Sequence, residues 1–201
     1  STRVSSVGGQ VSVDAEGDAL VRLYQRRVQE QTLDEDLVVA LLRYIITSSY
    51  DKGAILVFVA GWADIEAIST AVDKDETLRH VLWVVPLHGS IESSKQKDAF
   101  KPPETHKWKV VVATNVAETS ITIPDVSFVI DAGLEKTVKF DDHLGASVLR
   151  SSYVSQASAR QRKGRAGRTK PGVCFRLYTK RRHDYMEPQR LSELLRANLE
   201  G

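Results

Sequence analysis

The hydrophobic and polar positions divide the chain into three textures. Residues 1–17 are polar, rich in Ser, Gly and Val, and show no sustained period; such a stretch reads as a linker. Over residues 34–46 the apolar side chains return at helical spacing. Leu37, Val38, Leu41, Leu42, Ile45 and Ile46 share one face, and Asp34 stands where an N-cap belongs. From residue 53 onward the apolar runs become short and continuous: GAILVFVAG (53–61), HVLWVVPLHG (80–89), KVVVAT (109–114), VSFVIDAG (126–133) and, further on, VCFRLY (173–178). Runs of this length without alternation fit strands covered on both faces, as in a parallel sheet. Helical stretches near residues 62–72, 93–100 and 116–120 separate them, and this rhythm predicts an open α/β sheet flanked by helices. Residues 134–154 alternate instead and turn near 141–145, which predicts a β-hairpin.

Composition narrows the picture only a little. A chain of 201 residues, 42% hydrophobic and 27% charged, suits one globular domain with a sizeable core. The organisation expected is a linker and the start of a first helix over 1–30, then one domain over 31–201. Cys174 is the single cysteine, which excludes an intramolecular disulfide and a cysteine metal cluster and suits a reducing compartment. No membrane-length apolar run and no signal peptide are seen, so an intracellular protein, nuclear or cytoplasmic, is expected. The start at Ser1 without a Met and the stop at RANLEG read as a piece of a longer protein. No metal site is expected in it.

Charge matters locally rather than globally. Lys and Arg number 28 against 26 Asp and Glu, a net charge of +2. Yet residues 160–182 hold ten Lys or Arg and no acid. Within that run, SARQRKGRAGRTKPG (158–172) spaces Arg162, Arg165 and Arg168 by three and interleaves Gly164 and Gly167. A solvated basic face does not need such glycines, which are poor in helices but allow close backbone approach. Arginine carries a planar fork matched to phosphate oxygens, and two such forks can stabilise charge spreading over a transferring phosphoryl group. In open α/β sheets ligands bind beyond the carboxyl ends of strands. Here those ends read Val59-Ala60-Gly61, His88-Gly89-Ser90, Ala113-Thr114-Asn115 and Asp131-Ala132-Gly133. One glycine or hydroxyl after a strand is a turn more often than a site; their repetition along one edge favours a phosphate-gripping role.

QRKGRAGR (161–168) together with ATNVAETSITIPDV (113–126) resembles motifs VI and V of the superfamily 2 helicases, and more narrowly the DEAH/RHA (DExH-box) group of ATP-dependent RNA helicases. ILVFVAGWADI (55–65) resembles motif IV, and PLHGSI (86–91) the short motif after it. Order and spacing agree over residues 53–199. Trp62 after Gly61 favours the RHA-like branch, while Val59-Ala60-Gly61 replaces the LPG of many relatives and Pro124-Asp125 stands where many carry Asp-Gly.

The resemblance implies a RecA-like P-loop NTPase fold, the second such domain of the motor, with a mostly parallel sheet and an inserted hairpin. It implies arginine fingers at Arg165 and Arg168 and a γ-phosphate and water contact at Gln161. It groups Phe100 (an adenine-stacking aromatic), Thr122, Asp125 and Arg162 with ATP, Arg162 in a supporting structural role. It assigns the RNA backbone to Gly61, His88, Gly89, Ser90, Thr114, Thr119 and Lys136, with residues 134–154 as the hairpin near the strand-separation region.

No G-x-x-x-x-G-K-[ST] loop and no DE-x-H box occurs in the chain. The resemblance therefore places the triphosphate and Mg2+ ligands on a first RecA-like domain outside this chain, and implies that the fragment alone is inactive. The partners implied are RNA, with DNA as the other option, that first domain, and the C-terminal helicase domains of the same protein; no membrane is implied. An alternative reading is a nucleic-acid-binding scaffold without ATPase activity, disfavoured because a binding face needs charge but not this spacing.

Overall fold

The computed structural model describes residues 6–7, 10–11, 24, 31–92, 96–119, 121–141, 144–167 and 171–189, apart from the side chains of Ser6, Val7, Gln10, Val11, Thr119 and Lys139. The chain divides into two compact units, Ser1–Thr32 and Leu33–Gly201. In the first, within the stretch that reads as a linker, the short strands β1 (Ser6–Val7) and β2 (Gln10–Val11) pair antiparallel.

The second unit is built on five strands: β3 (Ala54–Phe58), β4 (Leu82–Leu87), β5 (Trp108–Ala113), β6 (Val126–Asp131) and, after the hairpin described below, β9 (Val173–Arg176). They lie in the order β4-β5-β3-β6-β9, and every pairing is parallel. Alternation along each strand sends side chains to two separate cores. Ile55, Val57, Val110, Val112 and Ile130 face one side, where Val38, Leu42 and Ile45 of helix α1 (Glu35–Thr47) and Ile65, Ile68 and Val72 of helix α2 (Trp62–Lys74) cover them. Ala54, Leu56, Phe58, Val111 and Val129 face the other side. That second face is covered by shorter pieces, among them Ala99, Ala117 of the single-turn helix α4 (Val116–Thr119), and Ile123. A fully buried Ile or Leu contributes about 1.5–3 kcal/mol, so both cores hold the sheet.

The ends of the elements follow local chemistry. Asp34 caps α1 by accepting the Leu37 N–H at 2.9 Å. The run 80–89 is shorter as a strand than its sequence, because helix α3 (Leu78–Val81) occupies its start. Of the helix expected over 93–100, residues 93–95 lie outside the described residues, Gln96 is α-helical with its N–H on the Glu92 carbonyl at 3.1 Å, and Lys97–Phe100 is a 3₁₀ turn that ends before Pro102 and Pro103. The alternating segment forms strands β7 (Leu134–Asp141) and β8 (Ala146–Tyr153), paired antiparallel from Leu134–Tyr153 to Asp141–Ala146. The hairpin leaves the sheet at Gly133, whose φ of +72° suits glycine and whose Cβ position is filled by the Tyr178 ring at 2.4 Å. Helices α5 (Gln156–Lys163) and α6 (Lys180–Tyr185) flank β9 in sequence.

Candidate nucleotide and nucleic-acid faces

The basic stretch is not one solvated face. Ser155 caps α5 by accepting the Ser158 N–H at 3.1 Å, and the helix ends at Gly164. A tight turn continues through Arg165, whose N–H bonds the Arg162 carbonyl at 3.0 Å. Gly167 has a φ of +83°, and a Cβ on Gly172 would lie 2.4 Å from the Gly167 nitrogen. These two glycines are required by backbone approach; Gly164 is αR with only 3.4 Å contacts. Gln161 is exposed on the last turn of α5. Arg165 is half-buried and donates to the carbonyls of Glu118 and, at 3.3 Å, Ile121. Arg168 lies outside the described residues.

Arg162, which the resemblance groups with ATP in a supporting structural role, is 0% exposed. Its Nε donates to Glu118 Oε2 at 3.1 Å, and its Nη1 donates to Asp131 Oδ1 at 3.0 Å and to the Leu134 carbonyl at 3.2 Å. The guanidinium also lies 4.9 Å from the Phe58 ring centroid. Ser158 donates to the other Glu118 oxygen, and Tyr178 Oη to Asp131 Oδ2 at 2.9 Å. Burial alone penalises the Arg162 charge, but Asp131 and Glu118 outweigh it and push its pKa up. Burial, then the adjacent Asp131, holds the Tyr178 phenol well above its usual range. Arg162 therefore supports the face from within and is not open to a nucleotide.

Residues 118–125 cross the second sheet face from α4 to the start of β6. Arg165 is anchored to the beginning of this segment. Thr122 is exposed in its middle. Asp125 ends it, at the amino edge of the sheet, where its carbonyl accepts the Ala54 N–H at 2.9 Å. A buried lysine joins this end to the aromatic candidate: Lys109 Nζ donates to the carbonyls of Ala99 and Lys101, both at 3.0 Å, and pairs with Asp125 at 2.8 Å. Phe100, between those two carbonyls in sequence, is 44% exposed. A pocket of about 330 Å³ is lined by Lys52, Gly53, Pro103, Lys109, Pro124 and Asp125. Arg165, Thr122, Asp125 and Phe100 thus lie along one connected band.

The other candidates follow the carboxyl ends of β3, β4 and β5, apart from Lys136 on β7; Thr119 belongs to α4, where the band begins. Gly61 begins α2 in extended conformation, and the Asp64 carboxylate accepts the N–H groups of Ala60 at 2.9 Å and Gly61 at 3.1 Å. A Cβ on Gly61 would sit 3.4 Å from the exposed Lys136 stem, so these two candidates meet. His88 Nδ1 accepts the Ser90 N–H at 3.1 Å and contacts Ser90 Oγ at 2.7 Å, which leaves Nε2 as the donor of a neutral ring. Trp62 packs edge-on to that ring at 5.9 Å. Gly89 has nothing within 4 Å of its Cβ position. Thr114, just past the end of β5, is 6% exposed, and its N–H bonds the Leu87 carbonyl at 3.3 Å. The Thr119 side chain lies outside the described residues. Among the described residues no group of three His, Cys, Asp or Glu is arranged to hold a metal ion, and no helix is long and apolar enough to cross a membrane.

Sequence reading missed Lys109, Glu118 and Asp131 as organising groups. The signal was present: each is a charge set in or beside an apolar run, and buried charges are rarely unpaired.

A five-stranded, all-parallel sheet flanked by helices is the architecture of a RecA-like helicase domain. The sequence matches the model of the helicase conserved C-terminal domain over residues 36–170. It is 40% identical over 174 residues to the ATP-dependent DNA/RNA helicase DHX36 of Homo sapiens, covering 86% of this chain and 17% of that one. It is 42% identical over 175 residues to the chloroplastic DExH-box ATP-dependent RNA helicase DExH4 of Arabidopsis thaliana, covering 86% and 12%. The structure superposes on the E. coli DExH-box NTPase HrpB with a TM-score of 0.69 and 32% identity, over 83% of this chain and 20% of that one. The chain belongs to the helicase conserved C-terminal domain family, in its DExH-box (DEAH/RHA) group. It spans less than a fifth of the length of these curated relatives.

Proposed function

We propose that this chain is the second RecA-like domain of an ATP-dependent RNA helicase. In the whole enzyme ATP and Mg2+ sit on the first RecA-like domain, and this domain completes the site. Arg165 and Arg168 act as arginine fingers on the developing charge of the γ-phosphate, and Gln161 orients the attacking water. Phe100 stacks on the base, Asp125 lies beside the nucleoside, and Thr122 reports nucleotide state to the strand. Gly61, His88, Gly89, Ser90, Thr119 and Lys136 hold the RNA backbone, which gives affinity without base specificity. Closing on ATP and opening after hydrolysis then move the grip along the strand. Alone, the domain does not hydrolyse ATP.

The observation that carries this reading is the band from Arg165 to Phe100, linked through the segment that follows α4 and through Lys109. A mere binding face has no need of charges anchored internally in this way. The test is Arg165→Ala in the full-length protein. RNA-stimulated ATP turnover is expected to fall about 1,000-fold, as for removal of other arginine fingers, with nucleotide-free RNA binding retained. Turnover near wild type sinks the assignment.

A further inference from the structure

Arg162 joins more of the fold than any other described member of the basic stretch. It reaches α4 through Glu118, the end of β6 through Asp131, and the entry to the hairpin through the Leu134 carbonyl. Glu118 is held twice: Arg162 and Ser158 hold its carboxylate, and Arg165 holds its carbonyl. A shift of Arg165 toward a nucleotide therefore acts on α4, and α4 is clamped to Arg162, which is clamped to the hairpin base. Asp131 adds a second hold there by accepting the Gly133 N–H at 2.9 Å, and the Val154 N–H closes the hairpin on the Gly133 carbonyl at 2.9 Å.

Stability alone does not explain this arrangement. A buried ion cluster is commonly matched or exceeded by apolar side chains of the same volume. Here, moreover, Arg162 Nη2 is buried without a hydrogen-bond partner, a costly state for a donor. What the guanidinium supplies is geometry: a rigid planar fork sets the angle between Glu118, Asp131 and Leu134, which a flexible ammonium cannot do.

We propose that Arg162 is a positioning residue that locks the nucleotide-side segment 118–125 to the base of the β7–β8 hairpin, so that nucleotide-driven movement of one is delivered to the other. This rests on the helicase reading above and goes beyond it, by giving the path through which the two faces are coupled.

The test uses the full-length protein with Arg162→Lys, which keeps the charge but loses the fork. ATP turnover on single-stranded RNA is measured beside base pairs unwound per ATP on a tailed duplex. Turnover is expected to stay within about twofold, while base pairs per ATP fall about fivefold, a coupling change of ordinary size. In a background where residues 139–148 are replaced by a two-residue turn, Arg162→Lys is expected to add no further loss. A parallel loss of turnover and unwinding, an unchanged ratio, or the same added loss without the hairpin overturns the proposal. If Arg162→Lys does not fold, the charge-free triple variant Arg162→Met, Glu118→Gln, Asp131→Asn is read the same way. Wild type without RNA-stimulated turnover defeats the helicase reading and this inference with it. Wild-type unwinding with an unchanged ratio in the variant defeats this inference alone.

Discussion

The band from Arg165 to Phe100 and the carboxyl edge handle polar groups differently. Along the band the charges are bound within the protein: Arg162 to Glu118 and Asp131, Lys109 to Asp125 and two carbonyls, Arg165 to the carbonyls of Glu118 and Ile121. At the carboxyl edge Gly89 and Ser90 are exposed and His88 is half-buried, while Gly61 and Thr114 are buried. Gly89 borders open space, Lys136 extends past Gly61, and His88 and Ser90 bond each other. The first region is shaped before any ligand arrives. The second leaves its shape to be completed by what binds. A phosphoryl-transfer site needs preorganised charge, whereas a grip that must release and retake a strand needs modest, repeated contacts.

The contrast can be broken most sharply at Arg162. Replacement by Ala strands two buried carboxylates, and the domain is expected to lose about 3–5 kcal/mol, read from urea unfolding; a loss under 1 kcal/mol, on the order of a surface change, would falsify the picture of an internally committed band. Phe100 should behave as its exposed member. Phe100→Ala is expected to leave unfolding unchanged and raise the KM for ATP about tenfold in the full-length protein, the scale of one base–aromatic stack; an unchanged KM removes Phe100 from the band. Gly89 tests the other side. With nothing near its Cβ position, Gly89→Ala is expected to keep stability within about 0.5 kcal/mol yet weaken RNA binding several-fold, because the strand backbone approaches there. Equal RNA affinity means the edge is not used at that point.

The smallest effect concerns pH. The folded pKa of Tyr178 is raised by burial and by Asp131, whereas in the unfolded chain it returns to about 10. Below that value both states keep the proton and the stabilisation is complete. Above it the unfolded state loses protons first, so stability falls as pH rises. The drop in unfolding free energy between pH 8 and 10.5 is expected to be smaller, by about 1 kcal/mol or less, in Tyr178→Phe than in wild type. Equal drops in both would show that the Asp131 cluster does not govern the alkaline limit.

Much of the fold was legible because buried strands write themselves as unbroken apolar runs. GAILVFVAG and KVVVAT lie side by side as β3 and β5, and the alternation of residues 134–154 is the hairpin. Asp34 was readable as a cap because capping is local. The helical reading of 93–100 is met in its described part by an α-helical Gln96 and a 3₁₀ turn at Lys97–Phe100. At the candidate site, Arg165 was legible as a residue type suited to phosphate, whereas Phe100 came only from the resemblance. Arg162 was not separable from them by spacing, because Arg162, Arg165 and Arg168 look alike along a line.

The sequence by itself determined the strand and helix alternation, the locally basic stretch, and the family, since each depends on neighbours in the chain or on motif order. Only the tertiary structure decided which arginine is buried, that Lys109 bridges residues 99–101 to Asp125, and that the candidates divide into a band and an edge. The physical reason is distance along the chain. Arg162 meets Glu118 44 residues away and Asp131 31 residues away. Whether a charge is committed inside or presented outside depends on such meetings, which parallel crossovers create and no local pattern encodes.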